Sequence, residues 1–307
     1  MEAYRFAAQP EIVVLQFGSL AEQARTLNRA AALLEKAGYP RDRVLDTAEL
    51  ERRIRAEGVE PDSFYYGHDY RASDLVRFFE MMRAAGLAPT EGEAALARMI
   101  AAWGWTRDTN AALISLARED LAATIGPETR ATILRHELSH GLYFTNPAYA
   151  HYAHEFWKKT LTSVERGKFI TFLMNDGYDT GIEDLVINET QAYLMHTQNV
   201  RFFNAQAVGL SERRLDALRV LFLSGMPPGW LRDCTTAPSG AAAPSGTAPS
   251  GTAPSGAAAP SGVAAPARAP RRRYRPGLSA VRRTRTVADS LAPARVAASM
   301  AVRSSLT

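Results

Sequence analysis

The chain has a single cysteine, Cys234, in 307 residues. It can therefore build neither a disulfide framework nor a cysteine-based metal site. Nowhere do 18 or more apolar residues follow one another, which excludes a membrane-spanning helix. The opening, MEAYRFAAQPEIVVLQFGS, lacks the basic and long apolar regions of a secretory signal and enters a strand almost at once. Taken literally it describes a cytoplasmic chain; a start further upstream would make it extracytoplasmic. Lysine is scarce as well, with 4 against 32 Arg.

What is present divides unevenly. Past Thr235 the sequence becomes TAPSGAAAPSGTAPSGTAPSGAAAPSGVAAP, a repeat of Ala, Pro, Ser and Gly that cannot bury enough apolar surface to offset its ordering entropy. It reads as disordered. RRRYRP and VRRTRT follow, so residues 235 to 307 hold ten Arg against one acid, Asp289, a net of +9. With +4 for the whole chain, residues 1 to 234 carry −5. The basic pI thus belongs to the tail. Its arginines and Tyr274 are the only features that suit a nucleic-acid partner, through backbone charge and stacking, and the acidic folded part and the lack of a groove-reading helix argue against sequence-specific binding.

Three regions are expected: a strand and helical scaffold over 1–110, a catalytic region over 111–232 packed on it, and the Arg-rich tail over 233–307. EIVVLQF, residues 11 to 17, reads as a buried strand. Ser19 and Glu22 then form the start of a helix in S-x-x-E spacing. Gly18 and Ser19 could cradle a phosphate there, although plain N-capping explains them as well. Helices are expected over 43–56, 73–85 and 90–103, with FYYGHDY, 64 to 70, a strand or extended loop. AALISLARED, 111 to 120, is a second strand. Gly126 and Pro127 open a helix to about Phe144, and further helices are expected over 147–156, 163–175, 181–197 and 211–223, with MPPGW ending regular structure. The fold class is mainly α (α+β), with a small early sheet.

The chemistry concentrates in RHELSHGLYF, residues 135 to 144. Helical positions four apart project to one side, so His136 and His140 can each offer a ring nitrogen to one ion about 2 Å away. Glu137 is turned about 100° from His136 and flanks the ion without having to ligate it. A three-ligand zinc site needs one more donor. Gly at 143 and His at 146 would extend the motif with a third histidine, but Tyr143 and Asn146 stand there. His151 and His154 lie beyond the helix-breaking Pro147 and read as ordinary residues of the next segment. GIEDLVINETQAYLMHT, 181 to 197, is the better source. Glu189 sits there among Leu185, Val186, Ile187, Ala192 and Met195, an expensive place for a carboxylate unless it is paired or bound to a cation. Tyr193 and His196, at i+4 and i+7, share its side. The same segment also reads as a solvated helix face around a buried tyrosine.

HELSH followed about fifty residues later by NETQAY resembles the gluzincin branch of the zinc metallopeptidases, over roughly residues 111 to 197. The resemblance implies a zincin-like fold, one Zn2+ per chain held by His136, His140 and Glu189, and Glu137 as general base. It departs from the large aminopeptidases, whose G-A-M-E-N signature is missing, and from relatives with Asp three residues after the ligand glutamate, where Ala192 stands. Glu183, Asp184 and Asp179 are candidates to support the first histidine, with Glu183 in reserve as third ligand. The expected activity is hydrolysis of peptide bonds in a peptide or protein substrate by a zinc-bound water that Glu137 activates. Tyr193, or else His196, is expected to hold the oxyanion. The strand over 111–117 resembles the zincin edge strand that pairs with an extended substrate. A zinc-dependent non-peptide amidase, or a non-catalytic zinc-containing peptide-binding protein, would keep the same ligands.

Overall fold

A sheet of four short strands lies between helices. In the computed structural model, residues 1–118 and 125–236 are described. The strands are β1 (Glu2–Arg5), β2 (Ile12–Phe17), β3 (Gly67–Arg71) and β4 (Ala112–Ala117), in the spatial order β1-β2-β4-β3. β2 and β4 pair in parallel, Ile12 opposite Ala112 through Phe17 opposite Ala117. β1 runs antiparallel to β2, and β3 antiparallel to β4. The sheet thus joins the first hundred residues to those that follow.

Two-residue alternation decides what each face of the sheet touches. Val13, Leu15 and Phe17 point into a core with Leu27, Leu75, Phe78, Leu96 and Ile100. These come from α1 (Leu20–Leu34), α3 (Ala72–Ala84) and α4 (Glu91–Ala102). α2 (Thr47–Ala56) packs through Leu50 and Ile54 into a separate cluster with Ala31, Tyr39 and Phe64. The opposite face offers Ile12 and Ile114 to Leu138 on α5 (Pro127–Thr145). Gly141 allows that approach, because a Cβ there would stand 2.9 Å from Ile12 Cδ1. Beyond α5 a helical layer follows: α6 (Pro147–Glu155), α7 (Ser163–Asn175), α8 (Glu183–Gln191), α9 (Ala205–Val208), α10 (Glu212–Gly225) and α11 (Trp230–Thr236). Its own core includes Tyr149, Phe156, Phe169, Phe172, Phe203 and Phe222. No helix of the described residues is long and apolar enough to cross a membrane.

The mainly helical fold with a small early sheet agrees with expectation, and the differences in detail have local causes. The expected 43–56 helix starts at Thr47, because Asp46 accepts from the Glu49 backbone at 2.8 Å and so sets the N-cap. At Gly18 the Glu22 carboxylate accepts from the backbone N–H at 2.7 Å, which places a carboxylate of the chain itself where a phosphate would have bound. β4 is not an edge strand, as the 111–117 reading had it; both sides are paired, to β2 and β3. The strand at the sheet edge beside α5 is β3. The expected 181–197 helix begins at Glu183 and changes character at Ala192, where a wide π turn, Ala192–His196, takes over. MPPGW interrupts the chain only briefly, since α11 resumes at Trp230. The β1, α9 and α11 elements are too short to show a period in sequence. The expected disorder of the tail falls outside the described residues.

One buried ion pair anchors the scaffold. Arg29 on α1 and Glu93 on α4 are 4% and 1% exposed, with Arg29 Nε donating to Glu93 Oε1 at 2.8 Å. Glu93 also closes the capping box of α4 with Thr90. Removing one partner of such a pair leaves a buried charge uncompensated and costs about 3–5 kcal/mol.

Candidate metal centre

Proline at the first turn of α5 supplies a preset φ and lacks only an N–H that would have had no helical partner. From there the helix passes beneath the sheet, with Leu134 and Leu138 turned to its apolar face. The 3.6-residue repeat then carries His136, Glu137 and His140 to the side where β3 and α8 meet. All three are fully buried, as is Glu189 on α8. His136 Nε2 stands 3.6 Å and His140 Nε2 3.7 Å from Glu189 Oε2. These separations exceed a hydrogen bond. They are close to the roughly 3.3–3.6 Å that separates two donors each about 2.0–2.2 Å from one tetrahedral ion. Among the described residues none of these atoms has a hydrogen-bond partner, nor has either oxygen of Glu137. The large majority of buried side-chain polar atoms in proteins have a partner, and here the unpartnered imidazole and carboxylate atoms gather at one point. The donor set therefore fits a metal ion: His136, His140 and Glu189 have ligand atoms within 4.8 Å of one another.

The first histidine is oriented by a residue absent from the sequence reading. Thr197 Oγ1 donates to Ala192 O at 3.1 Å and lies 2.7 Å from His136 Nδ1. With its proton committed to the carbonyl, the hydroxyl accepts from Nδ1–H, which leaves the Nε2 lone pair facing Glu189. Burial, then the neighbouring His140 and His196, pushes the His136 pKa well below its ordinary value, so the ring is neutral and ready to ligate. Thr197→Val should weaken metal binding by about 10–100-fold, read by competition with a chelating dye. Unchanged affinity would mean that packing alone holds the ring.

β3 contributes the second unforeseen group. Asp69 Oδ2 lies 3.7 Å from His140 Nδ1, on the far side of the ring from Glu189. Gly67, two residues earlier and on the same strand face, lies hard against the general-base candidate: a Cβ there would come within 2.1 Å of Glu137 Oε1. Only glycine lets the strand backbone and that carboxylate share the space. Glu35, at the end of α1, completes the group. Its loop is tied to the chain just ahead of α8 by Asp179 N to Glu35 O at 2.9 Å and Ala37 N to Gly177 O at 3.0 Å. Glu35, Asp69 and Glu189 also fall within 4.8 Å of one another, as do Asp69, Glu137 and His140.

Four carboxyl groups are thus enclosed together. Burial pushes the pKa of Glu137 well above the carboxylate range, and the charges of Asp69, Glu189 and Glu35 add to it. Glu189 is raised by burial and then by Asp69 and Glu35; the nearby Tyr178 hydroxyl offsets part of this without reaching hydrogen-bond geometry. A divalent cation at the convergence is the group that would reverse both shifts.

The remaining sequence candidates separate. Tyr193 packs its ring edge-on to His136, centroids 4.9 Å apart, inside the π turn. His196 lies 3.2 Å through Nε2 from the Tyr149 hydroxyl, which donates to Gln191 at 2.7 Å. The wider turn breaks the i, i+4, i+7 column that an α-helix would have made of Glu189, Tyr193 and His196. Glu183 is exposed, 3.9 Å from Lys158, and so is no third ligand. Asp184 binds Arg71 and Tyr143, and Asp179 binds Arg41; neither supports His136. His154 lies against Asp184 at 3.1 Å and His151 is exposed. In sequence, Asp69 stands out only as the lone acid inside FYYGHDY, with nothing to tie it to the histidines. Glu35 and Thr197 carried no signal, because each stands at the end of a helix where a polar residue is ordinary.

A cavity of about 440 Å3 shares Glu35 and Asp69 with this cluster and is also lined by Arg41, Arg71, Phe144 and Leu185. No protein-family model, curated protein or solved structure matches the chain.

Proposed function

We propose that the protein is a zinc-dependent hydrolase of the zincin type that cleaves peptide bonds. The observation that carries this reading is the convergence of His136, His140 and Glu189, from helices some fifty residues apart, on a point where their donor atoms have no other partner. Two imidazoles and a carboxylate form a mixed nitrogen and oxygen set suited to zinc. Bound there, zinc would supply a Lewis acid that polarises water and a substrate carbonyl.

Glu137 stands beside the triplet without a hydrogen-bond partner of its own. Its carboxylate takes a proton from the attacking water and passes it to the leaving amine. Tyr193, whose phenol burial keeps protonated, is assigned to the developing oxyanion, to which a neutral phenol donates. His196 is the second choice for that role. Substrate reaches the centre through the cavity that Glu35 and Asp69 line, and an extended chain pairing at the sheet edge there would meet β3. Peptides or proteins are the proposed partners.

One observation favours a second reading, a metal held without catalysis. His136, Glu137, His140 and Glu189 are all 0% exposed, and Gly67 lies against the base. A peptide library incubated with the purified chain separates the two. Cleavage that a chelator abolishes and Zn2+ restores supports the hydrolase. A chain that retains stoichiometric zinc yet cleaves neither peptides nor simple amides supports the second reading.

A further inference from the structure

The His136–His140–Glu189 triplet leaves a second set of enclosed donors unexplained. Glu35, Asp69 and Glu189 are 3%, 4% and 0% exposed, and each offers a carboxylate oxygen within 4.8 Å of the others. Glu189 Oε2 faces the two imidazoles and Asp69 Oδ2 faces His140 Nδ1. Asp69 Oδ1, Glu189 Oε1 and Glu35 Oε1 remain, each buried and without a hydrogen-bond partner among the described residues. A surface cluster of acids is solvated and needs no ion; three buried carboxylate oxygens without a protein partner are a different case.

Charge points the same way. Glu35, Asp69, Glu137 and Glu189 bring four negative charges when ionised, and one divalent ion would compensate two. Lys36 and Arg41 act on Glu35, and Arg71 on Asp69, only through their charge; none of them hydrogen-bonds the three free oxygens. The Lys36 ammonium lies over the rings of Phe64 and Tyr65, 4.8 and 5.2 Å from their centroids, and Arg41 binds Asp179 at 2.9 Å.

We infer that Glu35, Asp69 and Glu189 form a second divalent-cation site, with Glu189 shared between it and the histidine site. Three carboxylates and no nitrogen form a hard donor set, suited to Mn2+ or Mg2+ rather than to zinc. Glu35 and Asp69 also line the cavity, so the second cation sits between the entrance and the histidines, where it meets the oxygen atoms of an arriving substrate. The shared ligand rests on the reading of the first triplet as a metal centre, and the two stand or fall on different variants.

The test uses the purified full chain, stripped with a chelator and given one equivalent of Zn2+ and an excess of Mn2+. Bound metals are counted by elemental analysis and Mn2+ by electron paramagnetic resonance. The expected result is one zinc and one manganese per chain. Glu35→Gln, nearly isosteric and free of a buried charge, should keep the zinc and bind Mn2+ at least tenfold more weakly. His136→Ala should lose the zinc and keep the manganese. Should Glu35→Gln fail to fold, Asp69→Asn serves for the same measurement. Wild type holding zinc alone, unchanged in Glu35→Gln, overturns the second site and leaves the first. Manganese without zinc does the reverse, and a chain that binds neither ends both.

Discussion

Glu137→Gln is expected to keep its zinc and to lose hydrolytic turnover by a factor of about 10²–10⁴, the usual contribution of a positioned general base. The substitution changes one oxygen to an amide nitrogen, so the space beside Gly67 stays filled as before. It also removes one of four mutually repelling carboxyl groups, which leaves the fold at least as stable. Loss of rate with retention of metal and of fold is therefore a chemical effect. kcat on a cleaved peptide, with zinc counted in the same preparation, measures it. A variant that turns over as fast as wild type removes Glu137 from the mechanism, whatever the metal does.

Glu189→Ala should act on the metal and carry a signature in stability. In the metal-free protein the substitution deletes a carboxylate that burial and the charges of Asp69 and Glu35 disfavour, so the stripped variant should unfold no more easily than stripped wild type beyond the cost of a small cavity. Added zinc should then separate them. An ion that binds only the folded chain stabilises it by about 4 kcal/mol when free metal exceeds the dissociation constant a thousandfold. Wild type should show that rise in thermal or urea unfolding; the variant should show almost none. Equal stabilisation of the two by zinc would place the third ligand elsewhere, and Asp69 is the carboxylate next in reach of His140.

The contrast between these variants follows from where each residue stands. His136, Glu137 and His140 were legible because one helix carries all three, and helical geometry alone relates positions one and four apart. Glu189 was legible more weakly, as a carboxylate in an apolar stretch, where its cost demands a reason. No pattern in the sequence could relate Asp69 or Glu35 to the histidines. Asp69 reaches them because β3 pairs antiparallel with β4 and its two-residue alternation turns Asp69 and Gly67 toward α5. Glu35 reaches them because two backbone hydrogen bonds join its loop to residues 177 and 179. Thr197 finds His136 only because a π turn ends α8.

The apolar runs of β2 and β4, the caps and the prolines determine most of the element order, and the spacing of HELSH determines that two imidazoles and a carboxylate share one helix. These are local properties, set by backbone geometry over a few residues. The enclosure of four carboxyl groups, the edge position of β3 and the company kept by Tyr193 and His196 were decided only by the tertiary structure. Each depends on which distant segment is pressed against which, and packing settles that through the burial of side chains far apart in the chain.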